Sequence, residues 1–517
     1  MRWLIPRSRR GSLARFAAAA VIVIAFTATT TAVAGLLQFK QLVADISLTA
    51  PIKHAHVTIP QPGHPQTILL IGSDHRAGEP FRQSNTDTMM LVHIDPNSST
   101  INVISVPRDL KVEIPEGGGL ATDKINAAYS IGGPNLLVKV LKSQVFPNLQ
   151  VNHIVDVNFG GFQALVNAIG CVYTDVDHRY YNDTAFTDYS SIDIQPGYQR
   201  LCGADALSFV RFRHTDSDIV RNARQQDFIR WAKAQYGISK LISNRDKLLR
   251  IFGAHTQTDP DLHTLDGLEN LFNLVAFSDG HSINQIPFPA IFLPCSSGAT
   301  TGFGTTTAAA PTPCYVTADE SSEQQAYAQF MRPTKPKPKA ASNHSNKQRR
   351  QPSSQSLADA NLTGDAADGV AQAAKISTNS SLPVYYPKVI AAGSRFCTDG
   401  TCTEGPTPNS YPRGYTIRAR DGTRYPAYRM TIVLNSLLGQ YYGVQGTTWL
   451  KAPIIQSPDA TRTIKGKRLM EYFDGSKLTM VAWKLGGAVY WVSNTLTENL
   501  TNAQMLAIAA SLTRAHG

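Results

Sequence analysis

Between Arg15 and Lys40 the chain carries no charged side chain, and residues 16–35 run through alanine, valine, isoleucine and threonine almost without a break. A stretch this apolar satisfies its backbone best as a helix inside a bilayer, and residues 16–39 are about long enough to cross one. Arg2, Arg7, Arg9, Arg10 and Arg15 stand before it with no acid among them. The positive-inside bias then holds residues 1–15 in the cytoplasm and places everything from residue 40 onward outside. The expectation is an uncleaved, single-pass signal anchor. A cleaved signal peptide is the rival, because Ala32-Val33-Ala34 resembles a cleavage site. Outside the membrane, ATP, NAD and DNA are not routine partners.

A chain of 517 residues is too long for one ordinary core, so two folded units are expected. The formal charge of +11 invites a nucleic-acid reading, but the charge sits in two tracts. One is the amino-terminal arginine cluster. The other is residues 334–352, with six bases (Lys335, Lys337, Lys339, Lys347, Arg349, Arg350) and no acid. The remainder is formally neutral, which leaves no basic domain for nucleic acid. Cys171, Cys202, Cys295, Cys314, Cys397 and Cys402 suit structural disulfides in an oxidising compartment, with fifteen pairings open.

Past a proline- and histidine-containing stalk, residues 40–65, the pattern changes to short strands. Residues 67–72 form an apolar run of strand length, and residues 89–94 and 101–106 flank the turn-forming cluster 95–100 as a hairpin. If the middle strand lies antiparallel between the others, Asp74, Asp87 and Arg108 fall together at one edge of the sheet. Helix-like segments at 134–146 and 162–169 alternate with a strand at 151–157, pointing to an α/β layer fold. Arg211-Phe212-Arg213, if extended, turns both arginines one way and Phe212 the other. A long helix follows from Asp218, placing Asp218, Arg221 and Gln225 on one face. Arginine cannot shed its charge and presents a planar fork to phosphate oxygens, so several converging on one place ask for a di- or polyanion. A surface salt-bridge network is the plainer alternative.

The first unit closes near residue 333. Residues 334–381 read as a disordered basic linker. Residues 382–517 read as a smaller β-rich α+β unit, with strands at 428–434, 478–483 and 488–492, a Gly486-Gly487 turn and a capping box at Thr501–Gln504. It shows no catalytic constellation. Aromatic residues near Tyr441 and Trp449 suit stacking on sugar, or simply a core.

The blocks TILLIGSDHR, NTDTMMLVHID, ISVPRD, KINAAY, GADALSFVRFRH and DSDIVRNARQQ occur in that order within residues 66–333. They resemble the successive signatures of the LytR–CpsA–Psr family of bacterial cell-wall enzymes. That resemblance implies an α-β-α sandwich with a central mixed sheet and a deep apolar pocket for a lipid tail. It also implies an extracytoplasmic phosphotransferase that moves a glycopolymer from a polyprenyl-pyrophosphate carrier to a peptidoglycan hydroxyl. By the same resemblance Asp74 and Asp87 bind a divalent cation, usually Mg²⁺, and Arg108 is central to activity. Arg211, Arg213, Asp218, Arg221 and Gln225 ring the phosphates, with Lys124 nearby. Asp87 and Asp109 are the candidates for general base. Two departures stand out: Asn85-Thr86 where the family often has Arg-Ser, with Arg82 as a possible substitute, and Cys171 and Cys202 where it often has glycines and an aspartate. The same residues would serve a lipid pyrophosphatase. A non-enzymatic wall regulator or scaffold is the reading from a different class.

Overall fold

The computed structural model describes residues 51–53, 57–75, 84–185, 191–213, 218–237, 240, 243–278, 280–293, 315–333, 361–377, 382–399, 401–402 and 410–515. The expected cytoplasmic tail and membrane anchor lie outside these residues. Among the described residues no helix is long and apolar enough to cross a membrane.

The first unit is built on strands β1 (Gln66–Ser73), β2 (Thr86–Ile94) and β3 (Thr100–Ser105). They are followed by helix α1 (Ile125–Val140), β4 (His153–Asn158), α2 (Phe159–Ala168), β5 (Val172–Val176), β6 (Gly197–Leu201), α3 (Gly203–Arg211) and α4 (Asp218–Gln235). Next come β7 (Thr256–Thr258), α5 (Leu265–Phe277), β8 (Ser282–Ile286) and α6 (Glu320–Met331). The central sheet has six strands in the order β7-β4-β1-β2-β3-β8. β2 runs antiparallel to both β1 and β3, while β4 and β8 run parallel to β1 and β3, so the sheet is mixed.

Alternation along β1 and β2 explains the layers. Leu69, Ile71, Met89 and Leu91 point to one face and pack on Ala128, Tyr129 and Leu137 of α1 and Phe330 of α6. Met90 and Val103 point to the other, towards Ile229 of α4 and Leu274 of α5. On that second face Ile68, Leu70 and Val92 are only partly buried although their strands are central. The expected helix at 134–146 corresponds to the second half of α1, which bends at Gly132-Gly133 and resumes at Pro134, where a missing N–H costs little.

The second unit contains α7 (Ala366–Ser377), β9 (Arg413–Arg418), β10 (Arg424–Asn435), β11 (Gln440–Thr447), β12 (Ala460–Ile464), β13 (Lys467–Asp474), β14 (Lys477–Leu485), β15 (Ala488–Ser493) and α8 (Asn502–Ser511). An eight-stranded antiparallel sheet, including Arg395–Phe396, packs its apolar face on α8. The capping box is present: Thr501 Oγ1 accepts from Gln504 N, and Gln504 Oε1 accepts from Thr501 N. Gly486 and Gly487 turn β14 into β15 with φ of +57° and +78°.

Two expected boundaries move. The linker does not extend to residue 381, because Leu362–Gly364 pairs with Val389–Ala391 and α7 packs Ala373 and Ile376 into the second core. That helix is alanine-rich, and small side chains gave it a linker-like composition. The stalk is in part folded: Ile52 is buried and its N–H reaches Thr258 O at 2.9 Å, while Thr58 N–H reaches Val151 O at 2.8 Å.

The second unit is also docked on the first. Tyr173 and Tyr198 from β5 and β6 share a core with Ile417, Ile454 and Trp491. The Arg429 side chain is fully buried and donates from Nη1 to Asp175 Oδ1 at 2.6 Å and from Nη2 to Asp177 O at 2.9 Å. A second bridge joins Arg230 Nη1 to Asp474 Oδ2 at 3.0 Å. Trp449 packs against Tyr173 and Tyr425, and Tyr442 is fully buried, so these aromatics serve core and seam. Cys171–Cys202 and Cys397–Cys402 are disulfides. Cys295 and Cys314 lie outside the described residues.

Candidate active site

The site forms where strand directions bring three chain segments to one end of the central sheet. β1 ends at Ser73 and runs into Asp74; β2 begins at Thr86, just before Asp87; β3 ends at Ser105 and turns through Pro107 into Arg108 and Asp109. The next hairpin, Lys111–Glu116 with Gly119–Lys124, returns the chain so that Lys124 lies beside Asp109. Arg211 at the end of α3, Arg213 just beyond it and Arg221 in the first turn of α4 join the ring.

Two carboxylates organise these cations. Asp87 Oδ1 accepts from Arg108 Nη1 and Asp87 Oδ2 from Arg211 Nε at 3.0 Å. Asp109 Oδ1 meets Lys124 Nζ at 2.8 Å and Arg108 Nε at 3.9 Å, and Asp109 Oδ2 meets Arg213 Nη2. Arg108 thus spans both acids. The acid side chains are 12% and 5% exposed, whereas Arg108, Arg211, Arg213 and Lys124 are 27–36% exposed. The carboxylates are the more deeply buried members of the cluster and the four cationic side chains the more exposed. Arg221 is buried beside Asp87. Burial alone would raise the Asp87 carboxyl, but Arg221, Arg211 and Arg108 overcome it and hold the pKa below the usual carboxylate range. Burial likewise opposes ionisation of Asp109, and Lys124, Arg213 and Arg108 again win. Both acids therefore stay charged and are poor proton acceptors at neutral pH; their geometry suits holding the cations in place.

The remaining expected residues divide. Asp74 is exposed, with Oδ1 accepting from Asn85 N–H, and Thr86 Oγ1 donates to Gly72 O at 3.0 Å, so Asn85 and Thr86 brace the carboxylate loop. Arg82 lies outside the described residues. Gln225 turns inward and donates from Nε2 to Val210 O at 3.1 Å. Asp218 opens α4, and its side chain lies outside the described residues. Arg224, the fourth arginine of the run, is structural: Nη1 donates to Phe209 O and Phe212 O, both at 2.8 Å, and fixes the turn that aims Arg211 and Arg213. The tripeptide is not an extended stretch: Arg211 is the last residue of α3 and Phe212, its C-cap, is buried.

Sequence reasoning missed two features. The Phe159 ring, at the start of α2, lies 3.9 Å from the Arg211 guanidinium and orients it. Behind Asp74, the buried Asp156 accepts from Tyr129 Oη at 2.6 Å and Ser73 Oγ at 2.7 Å. Burial pushes Asp156 up to about 6, against those two hydrogen bonds and with the help of Asp74. No local motif marks either, because each partner comes from a distant segment.

For a metal, Asp74 and Asp87 are hard oxygen donors on adjoining strand ends, the kind of pair a magnesium-type cation takes. Each Asp87 oxygen spends one lone pair on an arginine and retains another, so the pair fits such an ion. His153, Asp259 and Asp261 also converge within 4.8 Å, at the far end of β4. There Asp259 is already engaged by Ile154 N–H at 2.9 Å and His153 Nδ1 at 3.3 Å, a packing arrangement.

Comparison with known proteins gives a consistent result. Residues 36–290 match the model of the LytR_cpsA_psr family. The chain is 34% identical over 235 residues to a polyisoprenyl-teichoic acid–peptidoglycan teichoic acid transferase TagU of Oceanobacillus iheyensis, covering 42% of this chain and 69% of that protein. It is 34% identical over 173 residues to the probable cell wall biosynthesis protein LcpB of Corynebacterium glutamicum, covering 31% of this chain and 39% of that one. The crystal structure of Bacillus subtilis TagV aligns with a TM-score of 0.40 at 22% identity, over 52% of this chain and 97% of TagV.

Proposed function

Because the chain belongs to the LytR_cpsA_psr family, we propose that it is an extracytoplasmic phosphotransferase joining a glycopolymer to peptidoglycan. The donor is a glycan on a polyprenyl-pyrophosphate carrier and the acceptor a peptidoglycan hydroxyl. One observation carries this reading: among the described residues Arg108, Arg211, Arg213, Arg221 and Lys124 converge on Asp87 and Asp109, and the side chains of Arg108, Arg211, Arg213 and Lys124 are partly exposed. Such a convergence of fixed, partly exposed positive charge favours an oligoanion, and a pyrophosphate supplies one.

In the reaction, the acceptor oxygen bonds to the glycan-side phosphorus while the bond from that phosphorus to the bridging oxygen breaks. Polyprenyl phosphate leaves, the acceptor proton passes to solvent or a base, and a phosphodiester remains. Arg108, fixed by both carboxylates, stabilises charge on the transferring group; Arg211 and Arg213, aimed by Arg224 and Phe159, clamp the neighbouring oxygens. Asp74 and Asp87 would hold a divalent cation, which supplies further charge neutralisation. The partly covered face with Ile68, Leu70 and Val92 suits the polyprenyl tail. Residues 16–39 anchor the enzyme in the membrane that carries its donor.

The test is to incubate the purified full chain with a lipid-linked glycan and peptidoglycan fragments. Coupled glycan–peptidoglycan product that disappears in Arg108→Ala supports the transferase. Phosphorylated glycan released without coupled product would make it a pyrophosphatase, and unaltered wall glycopolymer in cells carrying only Arg108→Ala would make it a scaffold.

A further inference from the structure

A cleft of about 710 Å³ lies between the two units, a size that takes a ligand of several rings. Its inner wall is the side of α4 bearing Asn222 and Gln226, together with Ser105 and Pro107, β8 and the end of α6. Its outer wall belongs wholly to the second unit: the Gly475–Ser476–Lys477 turn between β13 and β14, and the segment 496–498. The Arg230–Asp474 bridge fixes that outer wall in position.

The chemistry of the lining differs from that of the phosphate ring. Its charges are balanced, with Arg332 and Lys477 against Asp474 and Glu498. Carboxamides dominate the polar remainder: Asn222, Gln226, Asn284, Gln285 and Gln329. Gln226 is bonded to Ser105 Oγ at 2.7 Å and Asn284 to Asn102 Oδ1 at 2.9 Å. The side-chain amides of Asn222, Gln285 and Gln329 have no hydrogen-bond partner among the described residues, and Asn222 is only 7% exposed. These amides line the cleft, where a ligand can supply a partner in place of water. Amides donate and accept at once, which matches hydroxyl and acetamido groups, while the buried Pro107 and Phe288 form part of the apolar floor.

Position adds the connection. Pro107 lines the cleft and Arg108, the next residue, lies in the phosphate ring. Helix α4 turns Asn222 and Gln226 to the cleft and Arg221 towards Asp87. We propose that this cleft seats an uncharged, hydroxyl- and acetamido-bearing glycan segment, with the second unit as its outer wall. Two sources carry that chemistry, the glycan of the donor and the glycan strand of the acceptor. Which one applies rests on the transfer reaction proposed above; sugar binding itself does not.

The experiment is calorimetric titration of the full chain with chitotetraose, then with lipid-free donor glycan and with peptidoglycan glycan fragments. Ser476→Trp fills the cleft from an exposed turn, and Asn222→Ala removes the unpartnered amide. Both are expected to weaken chitotetraose at least tenfold while leaving geranyl pyrophosphate binding unchanged. The tighter of the two natural fragments identifies the source. Absence of binding by all three sugars, or equal affinity in wild type and both variants, overturns the proposal. Sugar binding with no coupled product would break only the transferase reading.

Discussion

Two places in this molecule concentrate charge, and they are built in opposite ways. At the seam, Arg429 meets Asp175 one to one; both are buried, and Gln445 and Trp491 Nε1 also donate to Asp175. Burial raises the Asp175 carboxyl, with Arg429 opposing. At the sheet end, among the described residues, Arg108, Arg211, Arg213, Arg221 and Lys124 converge on Asp87 and Asp109, and the side chains of all but Arg221 are 27–36% exposed. A wrapped, balanced pair has all it needs from the protein and holds two surfaces in register. A half-open cluster of converging cations leaves room for an anion. Arginine count alone does not separate structure from function; exposure does.

The largest effect should come from unbalancing the seam. Arg429→Ala leaves Asp175 buried without its partner and is expected to cost about 3–5 kcal/mol of stability, read by chemical denaturation. Replacing both residues with apolar ones should recover most of that loss. Arg108→Ala should do the reverse, lowering transfer by roughly 10²–10³-fold, about 3–4 kcal/mol in the barrier, with stability changed by less than about 1 kcal/mol. A comparable loss of stability in Arg108→Ala would erase the distinction.

Smaller effects sharpen it. Glu498, near the seam, is pushed up to about 7 by burial, with Asp474 and Asp227 adding to the rise and Arg230 and Lys477 opposing it. A carboxyl with a raised folded pKa keeps a proton that the unfolded chain has released. Its contribution is therefore full below the ordinary glutamate value of 4.5 and is lost as pH rises through about 7. Thermal melts of Glu498→Gln should be flatter than wild type across that window. The smallest difference should be in salt: raising it from about 0.05 to 0.5 M should weaken geranyl pyrophosphate binding while moving the unfolding midpoint little, because buried pairs are screened less.

Asp74, Asp87 and Arg108 were legible because they lie at strand ends, where pattern fixes position; Lys124 was reached only through the family resemblance, and the hairpin that carries it was not read. The α3–α4 turn was legible in composition but not in role. Arg224 and Gln225 carry the same polar signature as Arg221, yet bond to α3 carbonyls. Docking of the second unit was not legible at all. Asp175 and Arg429 are 254 residues apart, and nothing local at either marks the other. Helix α7 was read as linker because Ala373 and its small neighbours carry little hydrophobic signal, though they pack tightly. The interdomain cleft inherits the same difficulty, since its two walls come from units that sequence treats separately.

The most direct test of the central claim is calorimetric titration of geranyl pyrophosphate into the full chain, wild type against Arg108→Ala and Arg211→Ala. Binding that weakens at least tenfold in each variant, and that geraniol does not reproduce, is the expected result. Equal affinity for geraniol and geranyl pyrophosphate, or unchanged affinity in both variants, would contradict the assignment of this cationic ring to a pyrophosphate.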